Sequence, residues 1–240
     1  MYLSIIVPIY NEEKNLLTNI GKYLKYLESQ SYDFEIILVN DGSIDNTPNI
    51  AREISEKKSN IKFINNKINN GKGAAVCEGL LAACGDFRLF IDADGATSID
   101  HLEKIWKPFQ EGADIVIGSR NSRDVAGAIQ IKKQVIWKRV LGICGNRLIQ
   151  FFSVKNIYDT QCGFKAFTKE AVEKIIPKIT IKRWGFDIEI LSIAQLYNYK
   201  IKIIPVTWRN SDKSRVGVSG YFSTIKDLIQ IKINTLKHKY

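Results

Sequence analysis

Short, almost unbroken apolar runs alternate along this chain with longer segments of helical periodicity, and that alternation constrains its fold more than any other feature. Residues 4–10, 35–40, 61–65, 87–91 and 114–118 read as strands. Runs this short, with little polar alternation, suit strands covered on both faces. Between them, 12–28, 46–57, 73–83 and 98–109 carry helical spacing, with Asp45 and Ser98 placed as N-caps. Strand–helix alternation at this spacing predicts an α/β fold with a mostly parallel sheet flanked by helices. Beyond residue 120 the pattern continues with a helical stretch at 132–152, a strand at 165–168, and helices at 169–177 and 185–197. A strand at 202–208 and a last helix at 220–237 complete it.

A chain of 240 residues suits one well-cored domain. No run reaches the ~18 apolar residues of a membrane span, and the N-terminus has no basic segment followed by a cleavage site. A cytoplasmic location is therefore expected. Cys77, Cys84, Cys144 and Cys162 form no CxxC pair, and His101 and His238 are the only histidines. Zinc and a Ser–His or Cys–His nucleophile both fit poorly. Carboxylates, arginines and a hard metal remain.

In sheets of this type, ligands meet the carboxyl ends of the strands. Those ends read Tyr10-Asn11-Glu12, Asn40-Asp41, Asp92-Ala93-Asp94 and Gly118-Ser119-Arg120. Asp92 and Asp94 stand at i and i+2, so extended backbone points both carboxylates the same way. Like charges so placed suit a shared Mg²⁺ or Mn²⁺, which completes its shell with water and phosphate. A solvated turn is the competing explanation for the pair alone. Lys72, in a small Gly-Lys-Gly loop opening a helix, adds a cation where backbone N–H groups approach a ligand.

Taken in order, SIIVPIYNEE, VNDGS, NNGKGAAV, DADGA and GSR resemble the family 2 glycosyltransferases of GT-A (Rossmann-like) fold. DTQCGFKAF (159–167) and RWGFDIE (183–189) are similar to the branch of that family holding dolichyl-phosphate glucosyltransferases, near the dolichol-phosphate mannose synthases. The resemblance implies a nucleotide-sugar-binding half (1–120) and an acceptor- and membrane-facing half (121–240) within one GT-A domain. It implies inverting transfer of a sugar, with UDP-glucose the favoured donor, to a polyprenyl or dolichyl phosphate. Pro8, Tyr10, Glu12 and Asp41 then contact the nucleotide, Lys72 approaches it, and Asp92 and Asp94 hold the metal, Asp94 foremost. Ala96 stands where some relatives carry a third metal ligand, so none is expected. Arg120 and Arg139 are matched to phosphate-facing arginines, and Gln161 to the wall of the site. Arg209 and Arg215 hold the basic positions of a C-terminal segment, Arg215 where lysine is usual and Lys213 where glycine is usual. Asp187 falls where many members keep a general base. It is a base, an orienter of acceptor or arginine, or simply an acid at a helix N-terminus.

Charge supports a lipid phosphate. The net +10 divides into −4 over 1–120 and +14 over 121–240. The basic half includes two amphipathic stretches, at 132–152 and at the C-terminal helix. In the latter Tyr221, Ile225, Leu228, Ile229, Ile233 and Leu236 fall near one face. Basic amphipathic helices suit an anionic membrane surface, which predicts a peripheral enzyme, alone or with a membrane-protein partner. Packing of that face on the domain is the competing expectation. GDP-mannose with the same lipid, and a glycan hydroxyl with Asp187 as base, are alternative substrates. A nucleotide-sugar-binding regulator without turnover is the non-enzyme alternative. Nucleic acid is not expected, because no binding motif or stacking platform is present.

Overall fold

The computed structural model describes residues 1–130, 145–209 and 218–240. A seven-stranded sheet runs in the order β3-β2-β1-β4-β7-β5-β8. Its strands are β1 (Leu3–Ile9), β2 (Phe34–Asp41), β3 (Ile61–Asn66), β4 (Phe87–Ile91), β5 (Ile115–Ser119), β7 (Phe164–Thr168) and β8 (Ile201–Pro205). Two-residue β6 (Ile129–Gln130) and β9 (Thr207–Trp208) form a separate parallel pair. Six strands of the main sheet share one direction. β7, inserted between β4 and β5, is antiparallel to both.

Alternate residues along each strand feed two apolar layers. Ile6, Ile37, Phe90 and Ile115 meet α3 (Lys72–Ala82), α6 (Lys169–Ile175), α7 (Phe186–Leu196) and α8 (Val218–Leu236) on one face. Ile5, Val7, Ile36, Leu38 and Leu89 meet α1 (Leu16–Leu27), α2 (Thr47–Lys57) and α4 (Glu103–Gln110) on the other. Covering both faces explains the continuously apolar runs, since neither set of side chains reaches water. Residues 145–152 (α5) are also helical.

Several boundaries differ from expectation for local reasons. α1 begins at Leu16, four residues late, because residues 12–15 form a turn in which the Glu12 N–H donates to Thr47 Oγ1 at 2.7 Å. Asn46, not Asp45, takes the N-cap position of α2, although Asp45 Oδ1 still accepts from the Thr47 N–H at 3.0 Å. Ser98 caps a turn of 3₁₀ helix (Ile99–Leu102) by accepting from the Asp100 N–H. The single strand expected at 202–208 is two: β8 pairs with β5, and beyond Val206 the chain leaves the main sheet to pair with β6.

The terminal helix divides its apolar residues unexpectedly. Leu228, grouped by period on one face with Ile225, Ile229, Ile233 and Leu236, is instead buried with Ile231 against the core. Ile225, Ile229, Ile233 and Leu236 are exposed. The side chain of Tyr221 lies outside the described residues.

Candidate active site

The carboxyl ends of β1, β2, β4, β5 and β8 and the start of antiparallel β7 meet at one edge of the sheet. β4 ends at Ile91, and Asp92 and Asp94 follow, both half-buried. Their backbone is fixed from beneath by α1: Tyr23 Oη donates to the Asp92 carbonyl at 2.9 Å, and Asn19 Nδ2 to the Ala93 carbonyl at 2.8 Å. Asp92 Oδ1 is paired with Lys72 Nζ at 2.6 Å. Asp94 Oδ1 accepts from the Ala96 N–H at 2.9 Å.

Gly163 explains part of the motif around it. The Asp92 N–H donates to its carbonyl at 3.2 Å, and a Cβ at 163 would overlap the Asp92 carboxylate. The Asp-Thr-Gln-Cys-Gly turn thus seats the first acid of the pair. Gln161, beside it and exposed, donates from Nε2 to the Trp184 carbonyl at 3.2 Å.

Lys72 opens α3 and lies 5.5 Å from the Phe90 ring centre and 6.0 Å from that of Trp184. Burial opposes its charge; Asp92, Asp187 and Asp94 outweigh burial and hold its pKa above the ordinary lysine value. Gly71, which precedes it at φ +105, adopts a conformation that an L side chain rarely takes. The loop is pinned by Asp41, whose Oδ1 accepts from the Asn70 N–H at 2.8 Å and whose Oδ2 accepts from the Gly71 N–H at 3.0 Å. Burial pushes the Asp41 carboxyl up despite these bonds. Here, then, Asp41 binds the lysine loop itself. Glu12 is buried and half-buried Pro8 and Tyr10 stand at the end of β1, on the same edge.

On the far side, Arg120 forms a two-pronged pair with Asp159, Nε and Nη2 each at 2.7 Å from a carboxylate oxygen. Burial opposes the charge on each, and their mutual attraction lowers the pKa of Asp159 and raises that of Arg120. The two side chains thus form an ion pair, and the guanidinium also lies 5.3 Å from the Trp208 ring centre. The Arg209 N–H donates to the Ala96 carbonyl at 2.9 Å, which puts this exposed arginine on the strip following Asp94. Arg139 and Arg215 lie outside the described residues. His101 Nε2 accepts from the Thr207 N–H at 2.9 Å, a structural role in placing β9.

Asp187, in the first turn of α7, is buried and paired with Lys165 Nζ at 2.5 Å. Burial pushes its carboxyl up, while Lys165 and Lys72 pull it down. Lys165 and Asp159 were not singled out from the sequence. A charged residue flanked by apolar ones in FKAF was the available signal for Lys165.

Among the described residues, no three or more His, Cys, Asp and Glu side chains cluster to hold a metal ion by protein alone. Two carboxylates, one already shared with a lysine, fit a hard cation that takes one or two protein oxygens and completes its shell with phosphate and water.

The fold is that of the GT-A glycosyltransferases. Among solved structures, glucosyl-3-phosphoglycerate synthase from Mycobacterium tuberculosis, in complex with Mn²⁺, UDP-glucose and phosphoglyceric acid, matches with a TM-score of 0.68. That match covers 96% of this chain and 79% of the synthase at 18% identity. A mannosyltransferase from Pyrobaculum calidifontis in complex with GDP-mannose and Mn²⁺ matches at 0.61, over 98% of this chain and 64% of that one, at 18% identity. The chain belongs to glycosyl transferase family 2, whose family model matches residues 4–176. A dolichyl-phosphate beta-glucosyltransferase of Trichomonas vaginalis is 39% identical over 97% of this chain and 73% of its own length. The proteins of that name from Homo sapiens and Saccharomyces cerevisiae are 34% and 33% identical, over 98% and 97% of this chain and 76% and 75% of their own lengths.

Proposed function

We propose that this chain transfers glucose from UDP-glucose to a dolichyl or other polyprenyl phosphate, in one inverting displacement at the sugar C1. One observation carries the choice of acceptor: the carboxylate in the base position, Asp187, is buried and held by Lys165 at 2.5 Å. A hydroxyl acceptor needs its proton removed, whereas a phosphate monoester with a second pKa near ~6 arrives already ionised. The names of the relatives, dolichyl-phosphate beta-glucosyltransferases, support the same acceptor and sugar.

In this reading, Pro8, Tyr10 and Glu12 line the nucleoside side and Asp41 shapes the loop that Lys72 opens. Asp94, with Asp92, would hold Mg²⁺ or Mn²⁺ on the diphosphate side of the donor. When bound, the cation supplies charge compensation for the departing nucleotide. Lys72 and Arg209 add positive charge beside the diphosphate. Arg120, oriented by Asp159, and Gln161, tied to Trp184, face the acceptor side. Arg139 and Arg215 are assigned to phosphate by motif alone.

The enzyme works peripherally, at the cytoplasmic face of a membrane. No helix among the described residues is long and apolar enough to cross one. The exposed row of Ile225, Ile229, Ile233 and Leu236 on α8, with Lys226 and Lys232 on the same helix and Lys237 just beyond its end, suits an anionic surface.

The test is transfer of labelled glucose from UDP-glucose to dolichyl phosphate with Mg²⁺ or Mn²⁺, scored as label in the organic phase. Label is expected with the wild type and its loss with Asp94→Ala. Label from GDP-mannose alone, or transfer to a glycan hydroxyl alone, would overturn the donor or the acceptor respectively.

A further inference from the structure

Lys165 is fully buried in β7, beneath the acidic pair. It and Lys72 both lie against Phe90, at 5.3 and 5.5 Å from the ring centre. Its ammonium has two acceptors, Asp187 Oδ1 at 2.5 Å and the Cys162 carbonyl at 2.7 Å. Each leads to Asp92 by a separate path. Cys162 precedes Gly163, whose carbonyl accepts from the Asp92 N–H and whose missing side chain makes room for the Asp92 carboxylate. Asp187 acts electrostatically on Lys72, whose ammonium is 2.6 Å from Asp92 Oδ1. One cation therefore ties together the turn behind Asp92 and the lysine in front of it.

Stability alone does not account for such a group. Taking an ammonium and a carboxylate out of water is costly, and a well-packed apolar pair of similar volume is often as stable or more so. An apolar pair would also lack the bond to the Cys162 carbonyl. That bond is the part of the arrangement with a bearing on the site.

We propose that Lys165 is a positioning residue for the acidic pair: by holding the Cys162–Gly163 turn and Asp187 it sets the Asp92 carboxylate where the metal end of the donor is captured. The inference rests on the reading of Asp92 and Asp94 as the donor and metal site, and the experiment separates the two. Two neutral double variants of the full chain are compared with the wild type. Lys165→Met with Asp187→Leu replaces the tie with apolar packing. Lys165→Gln with Asp187→Asn keeps hydrogen-bonding groups at both positions without charge. Binding of Mn²⁺ in the presence of UDP, and separately GDP, is titrated by electron paramagnetic resonance. Melting temperature and the donor KM and kcat are measured on the same samples.

The apolar pair is expected to melt close to the wild type while binding Mn²⁺–nucleotide about 10–100-fold more weakly, the usual cost of losing a group that orients a metal ligand. Donor KM should rise in step, with kcat little changed, and the amide pair should recover most of the loss. Equal affinity in the apolar pair and the wild type overturns the role of Lys165 and leaves the donor site standing. So does an apolar pair that melts far below the wild type, since a purely structural tie would then suffice, or an amide pair that recovers nothing. A wild-type chain that binds neither nucleotide with Mn²⁺ overturns the donor site and this proposal together.

Discussion

At the scale of single residues, the site is governed by how little room surrounds Asp92. Its carboxylate has Lys72 on one oxygen and the bare Cα of Gly163 behind it. Gly163→Ala would drive a methyl group into that carboxylate, and the backbone there is held by the bond from the Asp92 N–H to the Gly163 carbonyl and by the pairing of the next residue, Phe164, with Ile91 of β4. Turnover is expected to fall about 10–100-fold, as when a group that orients a metal ligand is lost. Stability should fall by about 1–3 kcal/mol, as overpacking usually costs. Steady-state kinetics beside a urea melt would check this, and wild-type kinetics in the alanine variant would refute the close contact. Asp92 and Asp94 were legible in the sequence because a strand end and an i, i+2 spacing are local facts. Lys165 was not, because its importance depends on Asp187, 22 residues away, and on a turn that only the sheet brings near.

At the scale of elements, α8 carries two apolar faces with different work. Leu228 and Ile231 belong to the core, while Ile225, Ile229, Ile233 and Leu236 face outward. Leu228→Ala should cost about 2–5 kcal/mol of stability, in line with buried leucines elsewhere. Ile229→Ser with Ile233→Ser should leave the melting temperature nearly unchanged and reduce sedimentation with anionic liposomes at low salt. A double variant that still sediments like the wild type would show that this face does not meet the bilayer. The helical period in the sequence identified an amphipathic helix but put Leu228 on one face with Ile225, Ile229, Ile233 and Leu236, without deciding what that face meets. Hydrophobicity alone cannot say which of two apolar sides meets the protein.

At the scale of the whole molecule, stability against acid depends on buried carboxylates. Asp159, beside Arg120, is held below the ordinary range, so its pair stabilises the fold fully above the unfolded carboxyl pKa of ~3.9 and loses that contribution as pH falls through the folded value. Glu35 has the same sign: burial opposes its charge, but Lys62, Ser4 and the Cys84 N–H together keep it low. Asp41 has the opposite sign, since burial raises it and its protonation favours the fold. Asp159→Asn is expected to destabilise the protein at neutral pH by roughly 2–3 kcal/mol. This lies below the ~3–5 of a fully buried pair, because the Arg120 side chain keeps 25% of its exposure. It should also flatten the loss of stability below about pH 4. Urea melts across pH 3–7 would reveal it; parallel curves for variant and wild type would exclude the pair as a source of acid sensitivity.

The sequence by itself determined the α/β class, the two-sided covering of the sheet and the acidic pair at a strand end. These follow from short unbroken apolar runs and from the 3.6-residue period between them, both of which a short window displays. Tertiary structure alone decided that β7 runs backwards between β4 and β5, bringing Gly163 and Lys165 beneath Asp92. It likewise decided that Asp41 serves the Lys72 loop, that Arg120 is bound to Asp159, and that Asp187 is neutralised from below. Each of these joins residues 22 to 39 positions apart. Such pairings depend on which strands become neighbours, and local propensity carries no record of that.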